Sequence, residues 1–226
     1  LCVHSLKDVP VLENPALPIG AYPRRAPACD GMVLPKQQSF ADWNQSLPVG
    51  SASSRRTLQF QMQYPACTVH PIRGNVLTRL EKLDRGEYGA LILAEAGLQR
   101  LGLEHRITRR FSPAEIVPAA GQGILAVQGR AGEYTDLLQR LNDPQAAFCA
   151  KIERAVSKAL NGDCTAPIGA YADLQGEHVT LYGFYAEDGV GIKSTLTGSV
   201  TQAESLANTF AEQLKQQVQA KKEAML

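Results

Sequence analysis

Residues 68–94 read TVHPIRGNVLTRLEKLDRGEYGALILA, and the fold is decided here. Residues 68–72 read as a short strand, Arg73-Gly74-Asn75 as the turn after it, and Asn75 as the cap of a helix. Val76, Leu80 and Leu83 then fall on one helical face, and Gly86 supplies the stop. Ala90-Leu91-Ile92-Leu93-Ala94 follows as an unbroken apolar run, the pattern of a strand buried on both faces. Strand, helix and strand in this order make a βαβ unit, which predicts a parallel sheet.

Upstream, Val49-Gly50-Ser51-Ala52 reads as a strand end, and Ser53 caps a helix running to about Gln63. Residues 11–48 are rich in proline, which predicts loops and short strands, one of them over residues 31–34, and a crossing between domains. Residues 1–4 suit the end of a buried strand, with residues 5–10 as the turn after it. Downstream, the small-residue turn Pro118-Ala119-Ala120-Gly121-Gln122-Gly123 leads into the apolar strand Ile124-Leu125-Ala126-Val127, which can return to the first domain. Asp143-Pro144 opens a helix with Phe148, Ile152, Ala155 and Ala159 as its stripe and Gly162 as its stop. Residues 180–185 and 194–200 alternate as strands do, and Ala203, Leu206, Ala207, Phe210, Leu214 and Val218 form a closing amphipathic helix.

Composition excludes several classes of function. The 226 residues carry 23 Lys+Arg against 22 Asp+Glu, a net charge of +1, so any anion site must come from local clustering. No apolar run is long enough to span a bilayer. The five cysteines are odd in number and lack metal or redox spacing, which points to free thiols in a reducing compartment and predicts a cytoplasmic protein. The opening residues, with neither an initiator Met nor an export signal, read as the interior of a longer reading frame.

Ser53-Ser54-Arg55-Arg56 places two guanidiniums at a helix start, where unpaired N–H groups and the helix dipole attract an anion. Arg73 at a strand end and Arg79 in the first turns of the next helix can reach the same C-terminal edge of the sheet, the edge where open α/β sheets bind ligands. Arg100 is a further candidate. The bland reading of each is a surface charge. Lys7-Asp8 sits at a strand exit, where a carboxylate can meet a cationic intermediate, although a surface ion pair has the same spacing. Cys164, in NGDCTAPIGAY, is framed by small residues that leave room for an attached group, though a lone loop cysteine is usually inert.

Together these segments resemble the porphobilinogen deaminase (hydroxymethylbilane synthase) family. The resemblance rests on His4-Ser5-Leu6-Lys7-Asp8-Val9-Pro10, Ser53 through Arg56, Arg73-Gly74-Asn75-Val76 with Thr78-Arg79-Leu80, Leu93-Ala94 with Ala96-Gly97-Leu98 and Arg100, Pro118 through Gly123, and Cys164 with Pro167-Ile168-Gly169. It implies two α/β domains like the halves of a type II periplasmic binding protein and a small α+β domain. Residues 1–25 and 124–142 would belong to the first, residues 26–123 to the second, and residues 143–226 to the third. It further implies a dipyrromethane cofactor joined by a thioether to Cys164, with Ser5, Lys7, Asp8, Ser53, Arg55, Arg56, Arg73, Gly74 and Arg79 around the cofactor. Arg100 and Gln122 would meet the substrate porphobilinogen, and Asp8, with Lys7, would stabilise positive charge as ammonia leaves and an azafulvene-like electrophile forms. Four such condensations and a hydrolysis would yield the linear tetrapyrrole, without metal, nucleic acid or membrane, in a monomer.

The family carries a further stretch of chain ahead of residue 1, holding an arginine, a serine and a flexible loop. Without it, the partners of residues 1–4 and 124–127 are expected to be missing, the core to be open, the exposed surface to invite association, and turnover to be poor unless another chain supplies the stretch. The competing reading is a small-carboxylate-binding α/β module that leaves Cys164 unmodified, and a regulatory or structural fragment would show neither property.

Overall fold

The computed structural model describes residues 1–12, 14–161 and 167–225. Along the chain run β1 (Cys2–Ser5), β2 (Ile19–Ala21), β3 (Asp30–Val33), β4 (Val49–Gly50), α1 (Ser54–Gln63), β5 (Val69–His70), α2 (Val76–Asp84), β6 (Ala90–Ala94), α3 (Glu95–Gln99), β7 (Ile107–Arg110), β8 (Leu125–Gln128), α4 (Thr135–Leu141), α5 (Pro144–Ala159), β9 (Ile168–Gln175), β10 (His178–Glu187), β11 (Val190–Ser199) and α6 (Ala203–Glu223). The chain divides into two compact units, residues 29–116 and residues 1–28 with 117–226.

In the unit of residues 29–116, a five-stranded sheet has the order β5-β4-β6-β3-β7. The apolar run of β6 behaves as its sequence predicts. Ala90 and Ile92 enter one core with Phe60, Trp43 and Phe111, while Leu91 and Leu93 enter the opposite core with Leu80, Leu83 and Leu98. Successive side chains of a strand point to opposite faces, so one strand feeds both layers. α1 is capped by Ser53, whose Oγ accepts from Arg56 N at 3.4 Å, and α2 by Asn75, whose side chain accepts from Thr78 N at 2.9 Å. Gly86 follows α2 at φ +82°, a conformation in which a side chain is strained.

The two strands of the predicted βαβ unit, β5 and β6, do run parallel, with β4 between them, but the sheet as a whole is mixed. β4 pairs parallel with both β5 and β6, but β3 pairs antiparallel with β6 and β7. β7 therefore runs in the same sense as β6, and the crossover through α3 leaves a gap one strand wide. β3 fills that gap in the opposite sense, since it is reached without a helical crossover.

In the other unit, β1, β8 and β2 form an antiparallel sheet with β8 at its centre. The strands expected to lack partners thus pair with each other, Val3 opposite Val127 and Ser5 opposite Leu125. β1 is an edge strand and is exposed, with Val3 at 62%, where a buried strand was expected. A second antiparallel sheet, β11-β10-β9, carries α5 and α6 on one face. Their core joins Ile152 and Val156 of α5, Phe210 and Leu214 of α6, and Val179 and Leu181 of β10. Asp143 caps α5 by accepting from Ala146 N at 2.7 Å, and Pro144 occupies the first turn as predicted. The buried stripe of α5 is rotated from the expected one: Cys149, Ile152, Glu153 and Val156 face inward, while Phe148, Ala155 and Ala159 lie at its margin. Gly162, read as the stop, lies outside the described residues.

Candidate functional site

In the unit of residues 29–116, parallel pairing sets Gly50 opposite His70, so the turns after β4 and β5 open side by side. A cavity of about 670 Å³ lies there, lined among others by Ser53, Thr57, His70, Arg73, Gly74 and Arg79. This is the C-terminal edge of the parallel strands, and it gathers Ser53, Arg73, Gly74 and Arg79, half of the predicted second-domain site residues. Arg73 is exposed and Arg79 half-buried. Arg79 Nε donates to Gly74 O at 2.8 Å, which steadies the guanidinium over the turn. Gly74 has φ +114°, and a Cβ there would approach Thr78 to 3.0 Å, so the turn requires glycine. Arg79 is held below its ordinary guanidinium range, first by burial and then by repulsion from Arg56.

Arg55 and Arg56 differ from the open helix start that their sequence suggests. Only 4% and 7% exposed, they flank the buried carboxylate of Asp30 on β3. Arg55 Nη2 lies 2.9 Å from Asp30 Oδ2, and Arg56 Nε and Nη2 lie 2.9 and 2.8 Å from Oδ1. Two guanidiniums thus share one carboxylate. Burial lowers the Arg55 guanidinium, Asp30 opposes the shift, and Arg56 adds to it. Removing either the carboxylate or one guanidinium would therefore leave a buried charge poorly compensated. Asp30 was not read from the sequence; a single acid at the edge of a proline-rich stretch gives no periodic signal. His70, which also lines the cavity, was missed for a similar reason. Arg100 ends α3 as its C-cap residue and is exposed, apart from the lining of this cavity.

In the other unit, Ser5 precedes a single turn of 3-10 helix, Leu6–Asp8. Leu6 is buried at 1%, which anchors the turn, while Lys7 is half-buried and Asp8 exposed to solvent. Gln122 is 1% exposed, and its Nε2 donates to Ala28 O at 2.6 Å. A substrate contact from this side chain would require that bond to be given up. The turn around Gln122 is held by a hub absent from the sequence reading. Glu153, wholly buried on α5, accepts from Gly121 N at 2.7 Å, from Ala172 N at 2.9 Å and from both terminal nitrogens of Arg25. Arg25 also donates to Gln122 O and lies over the Tyr171 ring at 4.8 Å. Burial lowers the Arg25 guanidinium and Glu153 raises it more, leaving it above its ordinary value.

Cys164 lies outside the described residues. Among the described cysteines, Cys2 is exposed, Cys29 half-buried, and Cys67 and Cys149 buried. Burial, then the Glu153 carboxylate, pushes the Cys149 thiol up to about 11, and burial raises Cys67 too. Neither is fitted to act as a thiolate near neutral pH. Among the described residues no His/Cys/Asp/Glu group is suited to a metal ion, and no helix is long and apolar enough to cross a membrane.

Comparison with known proteins relates the chain to one family over most of its length. A family model described as "Porphobilinogen deaminase, dipyromethane cofactor binding domain" matches residues 1–137, and one described as "Porphobilinogen deaminase, C-terminal domain" matches residues 147–216. The porphobilinogen deaminase of Acetivibrio thermocellus is 50% identical over 212 residues, which cover 93% of this chain and 72% of that protein. That of Alkaliphilus oremlandii is 45% identical over 216 residues, 95% of this chain and 72% of its own. That of Chromobacterium violaceum is 41% identical over 218 residues, with 95% and 71% covered. Among solved structures, a Salmonella typhimurium periplasmic binding protein of high arginine specificity aligns at 18% identity and a TM-score of 0.31, over 56% of this chain and 61% of its own. That likeness is too slight to bear on the fold.

Proposed function

The chain belongs to the porphobilinogen deaminase family, whose dipyrromethane cofactor-binding and C-terminal domains it matches, and on that premise we propose how its own residues serve that reaction. The transferase joins porphobilinogen units head to tail, losing one ammonia for each carbon–carbon bond formed. When bound, the dipyrromethane supplies the primer on which the units are assembled. The observation that carries the assignment of roles is the basic cavity after β4 and β5, whose donors suit the carboxylates of such a group.

In this reading Ser53, Arg73 and Arg79 bind the cofactor's carboxylates, and the turn at Gly74 lets backbone approach them. Arg55 and Arg56 extend the positive field from beneath, with Asp30 fixing their orientation. Cys164 carries the thioether, and residues 143–226 form the domain that presents it. Asp8 faces the reacting pyrrole nitrogen and stabilises the positive charge that grows as ammonia departs, with Ser5 and Lys7 beside it holding carboxylate groups. Arg100 and Gln122 orient the incoming porphobilinogen. The protein acts as a cytoplasmic monomer without nucleic-acid or membrane partners, a reading that its balanced charge supports.

The deciding experiment is the intact mass of the purified protein under denaturing conditions, followed by peptide mapping. Excess mass equal to two linked pyrrole units on the Cys164 peptide, together with conversion of porphobilinogen to a linear tetrapyrrole, is the expected result. An unmodified Cys164 after incubation with porphobilinogen overturns it in favour of a carboxylate-binding module.

A further inference from the structure

Arg154 follows Glu153 on α5 and is 8% exposed. Its guanidinium donates to three successive backbone carbonyls, Nη1 to Val9 O at 3.2 Å and Nη2 to Pro10 O at 2.8 Å and to Val11 O at 3.1 Å. A planar, forked cation can serve three carbonyls at once; the single ammonium of a lysine cannot reproduce that fork. The carbonyls so gathered begin one residue after Asp8. The turn itself is tied down differently: ahead of Asp8, Leu6 N donates to Ile124 O at 2.9 Å, and just after it Val9 N closes the turn by donating to Leu6 O at 3.0 Å. Asp8 itself is exposed, so packing does not set where its carboxylate points. The two flanks of the turn set it instead, and beyond the bond that closes the turn the C-terminal flank is held to α5 by Arg154.

The same helix serves a second segment. Glu153 holds Gly121 N, at the turn that carries Gln122, and Ala172 N on β9. α5 also runs, after Ala159, toward Cys164 in the sequence. Consecutive residues of one helix therefore fix two loops from distant parts of the chain to the element that precedes the cofactor cysteine. We propose that Arg154 is a positioning residue, which holds the loop bearing the Asp8 carboxylate in register with the helix leading to Cys164. The proposal rests on the roles assigned above to Asp8 and Cys164.

Hydrogen exchange read by mass spectrometry on the full chain tests the geometry, with Arg154→Lys and Arg154→Ala compared to the parent. Arg154→Lys is expected to speed exchange in residues 6–11 by about tenfold, while α6 and β9 to β11 stay within about twofold. Turnover of porphobilinogen by the cofactor-bearing protein tests the consequence: kcat is expected to fall about a hundredfold with KM changed less than about threefold, the signature of a misplaced reacting group. Unchanged exchange in residues 6–11, exchange raised equally across α6 and the sheet, or a loss carried by KM would each overturn the proposal. A parent protein without turnover would instead count against the catalytic reading, and the exchange of residues 6–11 would still decide whether Arg154 positions the loop.

Discussion

Glu153 and Arg25, 128 residues apart in the chain, meet in a two-pronged ion pair, Nη1 to Oε1 at 2.6 Å and Nη2 to Oε2 at 3.1 Å, with the carboxylate wholly buried. Glu153→Gln keeps the shape but removes the charge, and turns an NH2 group toward donors that now have a carboxylate to accept them. Leaving Arg25 as an uncompensated buried cation is expected to cost about 3–5 kcal/mol. Urea unfolding of the variant checks this; a loss below about 1 kcal/mol would show that the pair is replaceable.

Asp30 predicts a different kind of defect. Asp30→Asn leaves Arg55 and Arg56 side by side without their shared counter-charge, and destabilisation of about 3–5 kcal/mol is expected. An added dicarboxylate should restore more of the melting temperature to this variant than to the parent, because an anion then substitutes for the missing carboxylate. Equal shifts for both proteins would mean that the cluster is closed to ligands.

At Gly74 the backbone, rather than charge, is at stake. Gly74→Ala forces a side chain onto φ +114° against Thr78, and is expected to cost more than about 1 kcal/mol. It should also lower the fraction of protein carrying cofactor mass, since Arg79 is anchored on the Gly74 carbonyl. Full cofactor loading in the variant would separate the turn from the binding site.

The thiols should differ sharply in reactivity. At pH 8, an alkylating reagent is expected to label exposed Cys2 and leave Cys149 untouched, with labelling of Cys149 in the folded protein rising only as pH approaches about 11. The linked effect on stability has a definite sign. Because the folded value lies above the ordinary 9.0, the unfolded chain loses this proton first. The contribution is complete below pH 9.0 and is lost as pH rises toward about 11. Cys149→Ala should flatten that part of the profile in a pH series of unfolding midpoints.

What was legible in the sequence was local. Ser53 and Asn75 announced their helices because a cap acts within three residues, and β6 announced its burial because both faces of one strand are apolar. The antiparallel placement of β3 had no such signal, since four residues reveal burial but not direction. β9 was missed as well, and its partner β10 was only partly read. The basic character of Arg55 and Arg56 was visible, yet their burial depends on Asp30, 26 residues before Arg56. Glu153 and Arg154 sit in the charged string Lys151-Ile152-Glu153-Arg154, which reads as a solvated helix face; their partners include backbone groups and an arginine from far along the chain.

Trp43 is the only tryptophan in the 226 residues, and it lies 7% exposed between Phe60 and Tyr64 in the core of residues 29–116. Its emission therefore reports on that unit, whereas far-ultraviolet circular dichroism sums the helices and strands of both. Denaturation followed by the two signals resolves whether the units melt together or in turn. Coincident curves would make them one cooperative body, and an early fluorescence change would identify the arginine-bearing unit as the first to yield.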